Sequence, residues 1–186
     1  MKILLSAVLA FGLAALPAAA KTQSPYAGWQ ARDIKALSAQ EIDDLRSGRG
    51  MSLALAAELN GYPGPRHVLD LGNDLALSDS QREAVAQLFT TMQQEAQRLG
   101  AAILEREATL DAAFGRGDIG ESELQQHLAA LGMLRGELRY VHLRAHLAAK
   151  ALLGADQVAR YNQLRGYGGD TGPGAASGHN HLPGSH

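Results

Sequence analysis

Between Ser78 and Leu152 the sequence keeps one helical period almost unbroken, and this constrains the fold more than any other feature. The apolar residues Val85, Leu88, Met92, Leu99, Ile103, Leu110 and Phe114 recur at steps of three, four or seven, with Ala96 filling the gap. On a helix that turns once in about 3.6 residues, such spacing draws a single apolar stripe along a polar surface. The run Gly115-Arg116-Gly117-Asp118-Ile119-Gly120 breaks the pattern. A second stripe then follows from 121 to about 152: Leu124, Leu128, Leu131, Leu134, Leu138, Val141, Ala145, Ala148 and Leu152. Each helix would be roughly 45 Å long at 1.5 Å per residue. Joined by a short glycine loop, the two are expected to fold back as a long antiparallel hairpin in an all-α protein. Neither stripe can be fully buried by one partner, so short flanking helices or a second subunit must cover the rest.

The flanks carry start and stop signals. Ser78 and Gln81 form a capping box that opens the first long helix. Gly154, with Gln157 three positions on, opens a short C-terminal helix from 155 to about 165. Upstream, Ser38 and Glu41 form another capping box, and Gly48 and Gly50 end that short helix. A second short helix is expected from 52 to 59, stopped by Asn60-Gly61-Tyr62-Pro63-Gly64-Pro65. Pro65 suits the first turn of a third, from 66 to 71. Residues 21–35 are polar and irregular.

The first twenty residues hold one positive charge, a long apolar run and Ala18-Ala19-Ala20, a small-x-small cleavage pattern. They read as a secretory signal peptide, with an uncleaved anchor as the alternative. The expected compartment is extracytoplasmic, most simply a bacterial periplasm. The division is then 1–20 signal peptide, 21–35 irregular segment, 36–167 helical domain and 168–186 a glycine-rich tail expected to be disordered. The chain has no cysteine, so the fold must hold without disulfides, and any metal site must use His, Met, Asp or Glu. With a formal net charge of −2 and no basic run, nucleic acid is not an expected partner. An enzyme is not expected either: there is no cysteine nucleophile, Gly-x-Ser-x-Gly, phosphate loop or His-Glu-x-x-His. Glu105, Glu107 and Asp111 read as a solvated face rather than a paired-carboxylate site.

LALSDSQREAV (75–85) and LLGADQVARY (152–161) resemble the two Leu-Thr-x-x-Gln motifs of the Spy/CpxP superfamily of periplasmic proteins. In that superfamily the motifs flank a long α-hairpin. The matching positions are Leu77, Ser78 and Gln81 in the first motif, and Leu153 and Gln157 in the second. Ser78 keeps the capping hydroxyl of the family threonine, whereas Gly154 has none, which weakens that helix start by a few tenths of a kcal/mol. IKALSAQEIDDLRSGRGMSLALAAELNGYPGPRHVLDL and RYVHLRAHLAAKALLGADQ are similar to the heavy-metal resistance and sensor branch, the CnrX/ZraP-like proteins. The resemblance covers roughly residues 26–167. It implies a periplasmic homodimer that binds metal, shields unfolded client proteins, or restrains a sensor kinase or an anti-sigma system. The expected function is a heavy-metal-binding accessory protein contributing to metal resistance or sensing. The alternatives are an ATP-independent Spy-like chaperone and a CpxP-like inhibitor of a sensor kinase.

His142 and His146 are one helical turn apart and can present two imidazoles to one ion, or simply form the polar edge of a packed helix. If the hairpin turns near Gly117, Met92 falls opposite His142 and Leu88 opposite His146, with Glu95 one turn away. His67 would approach the open end of the hairpin. His142, His146 and His67, with Glu95 or Met92 nearby, form a candidate site for a divalent transition metal: Zn, Cu or Ni. A methionine on an apolar stripe is also an ordinary core residue. The nickel- and cobalt-sensing relative has a His-x-x-x-His before its first motif, a glutamate in its first long helix and a His-x-x-x-Met before its second motif. Here the first region holds only His67, the glutamate position falls near Phe89, and the second pair is His-x-x-x-His shifted by about three residues. That ligand set is therefore not carried over. Tail residues His179, His181 and His186 suit loose metal capture, and His127 reads as a surface histidine.

Overall fold

The computed structural model describes residues 23–167, and these form six α-helices and no strand. They are α1 (Ala39–Ser47), α2 (Leu55–Glu58), α3 (Pro65–Asp70), α4 (Asp79–Arg116), α5 (Glu121–Leu152) and α6 (Ala155–Leu164). The signal segment and the tail, with His179, His181 and His186, lie outside the described residues. No helix among the described residues is long and apolar enough to cross a membrane.

The caps form as the sequence dictates. Ser38 and Ser78 accept from the backbone N–H groups of Glu41 and Gln81, whose side chains reach back to the serine N–H groups. Gly48 and Gly117 close α1 and α4 with φ of 64° and 75°, in the left-handed region open to glycine. Helix α2 is shorter than the expected 52–59. Met51 and Ser52 adopt φ of 43° and 62°, so 51–54 are turns and only Leu55–Glu58 is α-helical. Within the irregular 21–35 segment, Trp29–Ala31 makes a 3-10 turn, with Arg32 stacked 3.5 Å over the Trp29 ring.

The two long helices pack together, with α1 laid on α4 and α3 against both. Met92, Ala96, Leu99 and Ile103 of α4 meet Leu131, Leu138, Val141 and Ala145 of α5, roofed by Ile34, Leu37 and Leu45. Full burial of a Leu or Ile side chain contributes about 1.5–3 kcal/mol, so this cluster carries much of the stability. Gly100 explains how α1 comes so close. A Cβ there would sit 2.0 Å from the Leu45 carbonyl oxygen, so only glycine allows the approach. Arg144 on α5 reaches Glu95 on α4, and Arg135 reaches Glu107, both at 2.6 Å.

Phe114 and Leu128 depart from the stripe expected to bury them: they are 56% and 52% exposed. The flanking segment meets the far part of α4 at the Lys35–Asp111 ion pair, and among the described residues Phe114 and Leu128 stay uncovered. The carboxylates read as a solvated face are also corrected. Glu107 is buried against Arg135 and Asp111 is half-buried against Lys35, leaving Glu105 in solvent.

The two motif glutamines meet. Gln81 and Gln157 exchange amide hydrogen bonds, 2.9 Å in one direction and 3.0 Å in the other. Gln81 also donates to the Leu152 carbonyl (2.8 Å) and Gln157 to the Leu75 carbonyl (3.2 Å). Each side-chain oxygen accepts from the backbone N–H of its own helix cap, Ser78 or Gly154. Around this clasp a second apolar cluster gathers Val68, Leu75, Val85 and Tyr161, flanked by Leu77, Leu152 and Leu153.

Candidate functional site

A cavity of about 620 Å³ opens where the 47–55 segment, the start of α3, the first half of α4 and the last third of α5 converge. Its lining is mainly apolar and includes His67, Met92, His142 and His146, together with Met51, Glu58, Arg49 and Arg66. Three of the histidines singled out in the sequence thus line one cavity with Met92. Glu95 does not join them, because it turns outward to Arg144. Leu88 packs against the main core and is not part of the lining.

The helical step between His142 and His146 aims both rings inward, and they are 3% and 9% exposed. This is deeper than the polar edge of a packed helix. His146 Nδ1 lies 2.8 Å from the Tyr62 carbonyl oxygen, an acceptor, so Nδ1 carries a proton and donates to it. The Asn60–Pro65 stop sequence sets this contact by turning the Tyr62 carbonyl back toward α5. His142 is different. Its Nε2 is buried with no hydrogen-bond partner, and burial, with the nearby His146 charge second, pushes the imidazole below its ordinary pKa. A buried polar atom without a partner costs about 1–3 kcal/mol and calls for a reason.

The carboxylate beside these histidines is Glu58, which the sequence reading missed. It is 5% exposed and is the hub of four elements. Oε1 accepts from the Tyr161 hydroxyl, and lies 3.2 Å from the Tyr167 hydroxyl, 3.3 Å from His67 Nδ1 and 3.5 Å from Arg165 Nε. Oε2 accepts from the Gly64 N–H at 3.1 Å and stands 3.6 Å from His146 Nδ1. Burial pushes the carboxyl up, but hydrogen bonds from His67 and Tyr161 and the charges of His67 and His146 outweigh it, holding the pKa down at about 2. The same contact and burial push the Tyr161 hydroxyl above its ordinary range. Glu58 was hidden because it lies in a four-residue helix without readable periodicity, and its tyrosine partners are about a hundred positions away. Gly64 is glycine for a local reason: a Cβ there would lie 3.0 Å from His146 Cε1.

Among the described residues, no group of three or more His, Cys, Asp or Glu side chains is arranged to hold a metal ion. Beyond the histidines the lining offers the thioethers of Met51 and Met92, the Glu58 carboxylate and the side-chain oxygens of Ser52 and Gln93. His67 engages Glu58 through Nδ1 and is 41% exposed, at the mouth rather than the floor. His127, read as a surface residue, is half-buried beside Glu123 at 3.6 Å. The chain matches no protein-family model, no curated protein sequence and no solved structure.

Proposed function

We propose that this chain is a periplasmic heavy-metal-binding accessory protein, built as an antiparallel α-hairpin of the Spy/CpxP type and acting in metal resistance or sensing. The observation that carries this reading is the pair of buried histidines on one cavity wall. One has an unpartnered Nε2, and the other has its tautomer set by the Tyr62 carbonyl. A second-sphere carbonyl of this kind orients metal-ligating imidazoles. The Gln81–Gln157 clasp supports the family reading, since it joins the two motifs across the ends of α4 and α5. The Arg144–Glu95 and Arg135–Glu107 pairs support the hairpin, partners on α5 rising in number as those on α4 fall.

In this reading His142 and His146 hold a divalent Zn, Cu or Ni ion, with Met92 beside them and His67 at the mouth. Calorimetric titration of the full chain with His179, His181 and His186 replaced by alanine tests it. One equivalent of ion should bind, and His142→Ala with His146→Ala should abolish binding; an absence of binding in the parent sinks the proposal.

A second reading has its own observation. Met133, Tyr140 and Leu147 stand at steps of seven along α5 and are 66%, 60% and 58% exposed. Such a row suits a second copy of the chain, giving the homodimer, or an unfolded client of a Spy-like chaperone. Chaperone action would appear as suppressed aggregation of a denatured client without metal.

A further inference from the structure

Resting on the reading of the cavity as a metal site, we infer that its preferred occupant is a soft monovalent ion, copper(I), held by the Met92 thioether and the His142 and His146 imidazoles, with Met51 closing the site. Thioether and imidazole together form a donor set that favours copper(I) over harder ions. Met92 is 8% exposed and lines the same cavity as both histidines, facing them from α4 across the α4–α5 seam.

Met51 supplies the second, independent observation. Its φ of 43° and that of Ser52, 62°, are left-handed values that cost a non-glycine residue roughly 1–2 kcal/mol each. Gly48 and Gly50 lie immediately beside it, yet the strained position carries a long thioether. Met51 belongs to the α1–α2 connection and, in this conformation, lines the cavity. Backbone strain of this size persists where the surroundings over-determine it, which is common at ligand-holding sites.

Charge favours the same ion. The one carboxylate on the lining, Glu58, is fully engaged by Tyr161, Tyr167, His67, Arg165 and Gly64. Arg49 and Arg66 on the lining are paired with Asp43, Asp44 and Asp70, so they bring little net charge to it. An ion entering here therefore meets neutral ligands in a mainly apolar space. The desolvation cost of an ion rises with the square of its charge, so a monovalent ion loses far less than a divalent one.

The test uses the full chain with the three tail histidines replaced by alanine, loaded anaerobically from a copper(I)–bicinchoninate complex. One equivalent should transfer to the protein. Met92→Leu should weaken copper(I) at least tenfold while changing Zn²⁺ affinity less than twofold, and Met51→Leu should weaken copper(I) by a smaller factor. X-ray absorption on the unsubstituted copper(I) complex should show sulfur in the first coordination sphere, a readout independent of how the variants fold. Copper shells of nitrogen and oxygen alone, or equal copper(I) affinity in both methionine variants, overturn the inference. If Zn²⁺ still binds through His142 and His146 in that case, the metal-site reading survives without it. If no ion binds at all, both fall.

Discussion

His142 is the residue whose chemistry fits least with a purely structural role. Its buried Nε2 has no partner, and an apolar side chain of similar volume would remove that penalty. His142→Leu is therefore expected to leave metal-free stability unchanged or raise it by about 1 kcal/mol, measured by urea denaturation at pH 7.5 with a chelator present. A loss above about 2 kcal/mol would mark the ring as a well-satisfied core group. Glu58 behaves oppositely. Its folded pKa of about 2 lies below the ordinary 4.5, so its stabilisation is complete above pH 4.5 and is lost as pH falls toward 2. The full effect is on the order of 3 kcal/mol. Glu58→Gln leaves Arg165 and His67 facing a neutral amide. It should lower stability at pH 7 by about 2–4 kcal/mol and flatten the acid limb of a stability-versus-pH curve between pH 4.5 and 2. An unchanged acid limb would place the acid sensitivity elsewhere. The contrast also shows what sequence can carry at this scale. His142 and His146 were visible because they repeat at helical spacing. Glu58 was not, because only tertiary packing gives it partners.

At the scale of elements, helix starts and stops were legible because each has a local cause. Serine caps, glycine closures and Pro65 at a first turn act within a few residues, and α1, α3, α4, α5 and α6 follow them closely. The 51–54 turns were not legible, since no residue there announces a left-handed backbone. Nor was the role of Gly100, which inside a long helix reads as a simple loss of about 1 kcal/mol against alanine. Its reason lies across the interface, where the Leu45 carbonyl occupies the space a Cβ would need. Gly100→Ala gains helix propensity but forces α1 off α4, and overpacking typically costs about 1–3 kcal/mol. Net destabilisation of at least about 1 kcal/mol is expected by chemical denaturation, with Gly136→Ala as the control. Gly136 has open space around it, so alanine there should stabilise by about 0.5–1 kcal/mol. If both substitutions stabilise equally, α1 does not seat on α4 as described.

The whole molecule leaves one face unexplained by its own packing. The α1 and α3 helices cover one side of the long pair, and the α5 row Met133, Tyr140 and Leu147 stays in solvent. These residues fall off the main apolar stripe and repeat at steps of seven on another face, which the reading of the main stripe passed over. The stripe itself was over-read at Phe114 and Leu128, because periodicity says which residues share a face but not how far the covering elements extend. A symmetric dimer through the α5 row would bury three large side chains per protomer. Tyr140→Glu with Leu147→Glu would place two charges per protomer on that face. Sedimentation equilibrium should then shift from dimer to monomer, with at least tenfold weaker association, while the helical circular dichroism of each protomer is retained. The cavity lies on another part of the surface, so copper(I) and Zn²⁺ affinities should not change in the same variant. A parent chain that sediments as a monomer would instead leave the row to an unfolded client. A dimer undisturbed by the two glutamates would move the interface to another face.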